Sequence, residues 1–325
     1  MLECLNKRVQ DLRPDGPQGT RLTAVPILGP SRSEPAYQIL TPANLDKIQV
    51  TEISDAGSVQ VLKVINLLPV SVFLMDGQEL IGAKQNRILN TDVMVPAGAT
   101  INIPVSCVEQ HRWHHTSDAF SPGRSASHRI RKAKAERVRA SLRENRGHDA
   151  NQTAVWDEVA QTSTHAGAAS PTGALADAYQ HREEDLNHFR TEIKLPDETV
   201  GAAVFRRGEL LGLDLFDRHS TLAYFWSGLA DSYAIDALAE PIEIQGAGRS
   251  VESGAVRAVL DQVAAGRWES FATPGEGRDW RLDDPRIAAA ALVCADDAVI
   301  HLQVFPKDAA NPEWRPRIRR PYPRR

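Results

Sequence analysis

The densest group of chemically capable side chains runs Gly77-Gln78-Glu79-Leu80-Ile81-Gly82-Ala83-Lys84-Gln85-Asn86-Arg87. Arginine can grip a phosphate or carboxylate through two parallel N–H donors, lysine adds a compact charge, and glycine lets the backbone approach a ligand closely. Lys84, Gln85 and Arg87 are therefore candidate ligand-binding residues, and Glu79 is a candidate acid or base. A second group, Cys107-Val108-Glu109-Gln110-His111-Arg112-Trp113, adds Glu109 as another candidate catalytic carboxylate, Arg112 as an anion-binding donor and Trp113 as a stacking face. The same residues would also suit a charged hairpin edge and a structural buried ion pair. Convergence of their side chains into one pocket separates the two readings.

Asp214 and Asp217, in Asp214-Leu215-Phe216-Asp217, form an acidic pair. Asp214 could orient a ribose or a metal-bound water, whereas Asp217 suits the cap of a following helix. His111, His114 and His115 lie close together, and His181, Asp185 and His188 would share one helical face, but neither spacing fixes a ligand geometry and no metal site is assigned. Cys107 should point inward and so makes a poor nucleophile. No P-loop, Gly-x-Ser-x-Gly elbow, His-Glu-x-x-His or dinucleotide-binding glycine fingerprint is present, and the cofactor stays unknown.

Strands and tight turns should position these groups. Leu22–Leu28, Val59–Leu67 and Thr100–Val108 are rich in apolar and β-branched residues, and Asp76-Gly77 suits a two-residue hairpin turn within Val70–Leu80. In the last strand Ile101, Ile103, Val105 and Cys107 alternate with polar residues, so an inward register carried two residues further also buries Glu109. Such a carboxylate needs a cation, which Arg87 or Arg112 could supply. Between Arg124 and Arg146 nine Lys or Arg face two Glu on a helical pattern with Ile130, Val138 and Leu142 on one stripe. Further helices are expected over Thr153–Gln161, from Ser170-Pro171 through Ile193, over Thr221–Leu238 and over Val251–Ala265. Val200–Leu215 reads as a second hairpin turning at Arg207-Gly208, and Ile287–Phe305 as strands around Ala295-Asp296-Asp297.

The expected organisation is an extension over 1–20, a β-rich part over 21–113, a basic helical segment over 114–150, a helical and β part over 151–310 and a disordered Arg/Pro-rich tail over 311–325. The fold class is α+β: an antiparallel β-rich N-terminal sandwich or barrel-like part packed with a mainly helical part that carries the second hairpin. With 42% hydrophobic and 25% charged residues the chain has globular composition, and its net charge of −4 gives no overall attraction to nucleic acid. The three cysteines, at wide and unpatterned spacing, point to a reducing compartment, and no apolar run reaches membrane-spanning length, so a cytoplasmic location is expected.

The chain resembles the bacterial ADP-ribosylglycohydrolase and rhodanese-phosphatase superfamily associated protein family. The likeness rests on the Gly77–Arg87 run, on Val95-Pro96-Ala97-Gly98, Pro104–Gln110 and Arg112-Trp113, and downstream on Val155–Val159, Ser170–Leu175, Gly212–Asp217 and Ser232–Leu238. The resemblance implies a role beside enzymes of ADP-ribose and phosphate chemistry and assigns no activity. The resulting expectation is a small anionic, nucleotide-type ligand linked to ADP-ribose or NAD, bound with or without hydrolysis. The rival expectation is an interaction or scaffold protein with protein partners, and a weaker one is nucleic-acid binding through the basic helix.

Overall fold

A computed structural model describes residues 2–32, 37–54, 56–238, 251 and 253–307, so the Arg/Pro-rich tail lies outside the described residues. Six strands make an antiparallel sheet in the order Phe120–Ser125, Gln78–Gly82, Arg87–Leu89, Thr100–Cys107, Val61–Asn66 and Ile48–Glu52. A small sheet of Tyr37–Ile39, Ser71–Leu74 and Val93–Val95 packs on it, and Val50, Val64, Val72, Leu74, Ile103 and Val105 meet between the two in one buried core. This is the β-rich sandwich expected from the alternating pattern.

The Asp76-Gly77 turn forms, with the Gln78 N–H donating to the Met75 carbonyl at 3.0 Å and Gly77 at φ +79°. The expected hairpin does not, because Ser71–Leu74 and Gln78–Gly82 enter different sheets and pair with other strands. Side-chain chemistry redirects the chain here. The Asp76 N–H donates to the Asp92 carboxylate at 2.7 Å, the Asp76 carboxylate takes Lys134, and the stem of Arg131 lies 3.0 Å from where a Gly77 Cβ would sit.

The third sheet has eight antiparallel strands in the order Arg13–Pro14, Thr23–Leu28, Thr199–Arg206, Glu209–Phe216, Val299–Pro306, Ile287–Val293, Arg278–Asp283 and Arg267–Ala272. Its hairpin turns at Arg207 (φ +51°) and Gly208 (φ +80°), as the sequence indicates. Helices Leu2–Gln10 and Ser253–Ala265 bury Leu5, Val9, Val256, Leu260 and Val263 against one face. Helices His128–Arg143 and His219–Ala237 cover the other. Ser170 does not begin a long helix: its hydroxyl accepts from the Ala174 N–H at 2.7 Å, and the helical stretch is split into Leu175–His181 and Glu183–Glu192. The break at Arg182 takes His181 off the helix that carries Asp185 and His188, and no group of three or more metal-ligating side chains occurs among the described residues. No described helix is long and apolar enough to cross a membrane.

Helix His128–Arg143 buries Ile130, Val138 and Leu142 as its stripe requires, and also buries Arg131 and Lys134. Arg131 pairs with Asp214, Lys134 with Asp76, Arg139 with Asp283, and Arg143 with Glu269 at 2.5 Å. These basic residues are thus engaged by the protein's own carboxylates, which removes much of the free positive face that nucleic-acid binding would use.

One of those carboxylates, Asp214, also holds His301, together with Asp92. Its Nδ1 lies 2.9 Å from Asp92, its Nε2 lies 3.3 Å from Asp214, and its ring stacks on Phe216 with centroids 4.5 Å apart. Burial alone would depress its pKa, but Asp92 and Asp214 outweigh that and raise it to about 9. A histidine raised on folding contributes stability that is complete below its unfolded value and is lost as pH climbs through the folded one. The urea midpoint should therefore decline between about pH 6.5 and 9. His301→Gln should be the less stable protein at the acid end of that window and should flatten the decline.

Candidate functional site

The Gln78–Gly82 strand delivers Glu79, and a tight backbone turn then delivers Lys84 through Arg87. Gly82 sits at φ +129°, and a Cβ there would lie 2.4 Å from the Ser117 hydroxyl, so the turn requires glycine. Ala83 follows at φ +40°, a conformation that costs a non-glycine residue on the order of 1–3 kcal/mol. It is held from both sides, since its carbonyl accepts from Arg112 Nη1 at 2.7 Å and from the Thr116 N–H at 3.0 Å, while its N–H donates to Ser117 Oγ at 2.9 Å.

Glu109 turns inward as the strand register requires, and its cation is Arg112, with Nη2 2.6 Å from Oε2. The same Oε2 accepts the Asn86 N–H at 3.1 Å, and Oε1 accepts Thr172 Oγ1 at 3.0 Å. Burial works to raise the Glu109 pKa, but the Arg112, Asn86 and Thr172 hydrogen bonds hold it below the ordinary carboxylate value. Asn86 carries the network onward: its Oδ1 accepts from Arg112 at 3.0 Å and its Nδ2 donates to Glu79 at 3.4 Å. Gln85 Nε2 donates to the Glu109 carbonyl at 2.9 Å, and Arg87 Nη1 donates to Gln85 Oε1 at 3.0 Å. Above the fully buried Arg87, the half-exposed Trp113 ring lies 5.7 Å from the Arg87 guanidinium and 5.4 Å from the Lys84 ammonium.

Seven of the eight sequence candidates, Glu79, Lys84, Gln85, Arg87, Glu109, Arg112 and Trp113, thus gather in one cluster. Asp214 is placed elsewhere, buried between Arg131, His301 and the Tyr233 hydroxyl, which donates to it at 2.8 Å. Asp217 accepts the Tyr37 hydroxyl at 2.5 Å, and the cap position of the following helix is Arg218. Cys107 is buried, and burial pushes its thiol up, away from the thiolate. His111, His114 and His115 are exposed. The sequence reading missed Thr172 and Glu52. Thr172 arrives from a loop more than sixty residues away, and only its place beside the Ser170 turn marks it. Glu52 ends the Ile48–Glu52 strand as an ordinary polar residue, and no local pattern shows that it will be buried 3.9 Å from Arg87.

Glu79 differs from Glu109 in lacking a paired cation. Burial is the leading cause that lifts its pKa to about 7, with the Asn86 hydrogen bond only partly opposing it. The folded protein therefore holds a proton that the unfolded chain has released, and stability falls as pH rises from about 4.5 to 7. Glu79→Gln should remove that slope and leave a variant at least as stable as wild type above pH 7, as read by denaturant unfolding across the range. An unchanged slope would place the proton elsewhere.

No curated protein and no solved structure matches the chain. One family model does, and it takes in nearly all the elements described above, including the Gly77–Arg87 turn, the Glu109–Arg112 pair and the helix that carries Arg131 and Lys134. On that match over residues 14–305, the chain belongs to the ARPP-1 family, the ARG and Rhodanese-Phosphatase-superfamily-associated Protein domain.

Proposed function

We propose that the protein binds a small anionic ligand of nucleotide type, related to ADP-ribose or NAD, where Trp113 overlies Lys84 and Arg87. The observation that carries this reading is the gathering of seven candidate residues from separate segments into one cluster with a half-exposed indole at its surface. Trp113 offers a face for a base or sugar ring, and Lys84 and Arg87 supply positive charge to an anionic group beside it. Arg112 acts from within, fixing Glu109 and the strained Ala83 turn. The family's association with ADP-ribose and phosphate enzymes points to the same ligand class.

Processing of that ligand would fall to Glu79. A carboxyl group with a pKa of about 7 exchanges protons readily at neutral pH, as a general acid or base must. Glu109, held ionised by Arg112, is better suited to orienting a hydroxyl.

A second reading, a protein-interaction module without small-molecule chemistry, draws on one observation. Arg112 is already engaged by the Ala83 carbonyl, Asn86 and Glu109, so its guanidinium has protein acceptors in place of a ligand. On this reading exposed Trp113 and Ile81 would be contact residues for a protein partner.

Thermal unfolding against ADP-ribose, NAD, AMP and inorganic phosphate separates the two. A ligand present at about 100 times its Kd adds about 2.7 kcal/mol to the native state, enough to raise the midpoint by a few degrees. The expected result is a concentration-dependent rise with ADP-ribose or NAD that Trp113→Ala, a change at the surface, abolishes. Glu79→Gln should retain the rise while losing any turnover. No rise with any of the four compounds would favour the interaction module.

A further inference from the structure

Glu52 presents a chemical demand that the protein leaves unanswered. Its side chain is 5% exposed, and neither carboxylate oxygen has a hydrogen-bond partner. Its ion-pair partner, Arg87 Nη2, stands 3.9 Å away, beyond hydrogen-bond length. Arg87 is fully buried; its Nη atoms reach Gln85 and the Ser58 carbonyl, but its Nε–H has no acceptor. Two acceptors and one donor are thus buried together and unmatched, an arrangement that costs several kcal/mol when nothing meets it.

The polarity of these atoms selects what would meet them. A phosphate oxygen accepts and would serve Arg87, but Glu52 would repel it. An ammonium donates and would serve Glu52, but offers nothing to the Arg87 N–H. A hydroxyl does both, donating to the carboxylate and accepting from Nε. Two adjacent hydroxyls place one donor on each carboxylate oxygen. Gly57, at φ +75°, sits over the same atoms: a Cβ there would lie 3.2 Å from Glu52 Oε2 and 3.2 Å from the Lys84 stem. A side chain at that position would press on both groups, and the exposed Trp113 ring stands close by over Lys84 and Arg87.

We infer that Glu52 and Arg87, beneath Gly57 and beside Trp113, form a subsite for the vicinal diol of a sugar ring. This rests on the nucleotide reading of the Trp113 surface and deepens it: the anionic group lies toward Lys84, and the sugar is read through its hydroxyls by Glu52. The carboxylate also discriminates, since a sugar that lacks the diol leaves Glu52 unanswered and one that carries phosphate there is repelled.

AMP is the smallest member of the ligand class with a base, a phosphate and one cis-diol, and 2′,3′-dideoxy-AMP differs from it only by the two hydroxyls. Titration calorimetry on the full chain should give AMP a Kd at least about tenfold below that of the dideoxy compound. Glu52→Gln should bring the two within about twofold by weakening AMP alone. Equal affinity of both compounds for wild type would overturn the diol subsite while leaving the nucleotide site standing. Binding of neither would overturn both. A tenfold preference that survives Glu52→Gln would take the assignment away from Glu52. The wild-type comparison needs no variant, so it decides the first question even if Glu52→Gln fails to fold.

Discussion

Arg131 and Lys134, two cations buried on one helix and matched by Asp214 and Asp76, are the constraint on which the other parts of this structure depend. Asp214 belongs to the eight-stranded sheet and Asp76 to the turn that opens the smaller β core, so the helix bridges elements of different sheets. His301 and Gln303 extend the bridge, with Gln303 donating to Asp76 at 2.5 Å and His301 lying between Asp92 and Asp214. Burial alone would disfavour ionised Asp214, yet Arg131 and His301 hold it far below the usual carboxylate range. Ion pairs of this kind are weak evidence for net stability, because desolvation offsets their attraction, but removing one partner strands a buried charge. They make the arrangement specific rather than merely sticky.

The candidate site inherits its geometry from that bridge. Asp76, gripped by Lys134, and Gly77, packed against the stem of Arg131, set the point from which the Gln78–Gly82 strand departs, and Glu79 is the second residue of that strand. At the strand's other end Arg112 and Ser117 hold Ala83 at positive φ. Glu79 is therefore fixed from two directions, one structural and one within the cluster itself. Such over-determination is what allows a strained turn and an unpaired carboxyl to persist beside each other. It also explains how two glutamates of one cluster come to have opposite protonation tendencies: Arg112 reaches Glu109, whereas Glu79 meets only the side-chain amide of Asn86.

Much of this was legible from periodicity. The inward register of Thr100–Cys107, carried on to Glu109, follows from strand alternation, and the helical spacing of Leu175 with Tyr179 and of Leu186 with Phe189 matches their burial despite the break at Arg182. The Arg207-Gly208 hairpin was legible because local turn chemistry alone determines it. Asp76-Gly77 carries the same local signal but became a crossing between sheets, since Asp92 and Lys134, distant in sequence, claim its polar groups. The basic helix shows the same limit. Its charge run looks like a solvated face until Asp76, Asp214, Glu269 and Asp283 arrive from elsewhere to meet it. Glu52 and Thr172 were hidden for that reason too, as nothing within a few residues of either shows what it will face.

The buried pairs on helix His128–Arg143, not the exposed ones, hold the sheets and the site in register. Denaturant unfolding of Asp214→Asn beside Glu269→Gln tests it most directly, since the first strands buried Arg131 and the second disturbs the half-exposed pair with Arg143. The expected loss is about 3–5 kcal/mol for Asp214→Asn and no more than about 1 kcal/mol for Glu269→Gln. Similar small losses for both would contradict it and would leave the apolar cores as the sole organisers of the fold.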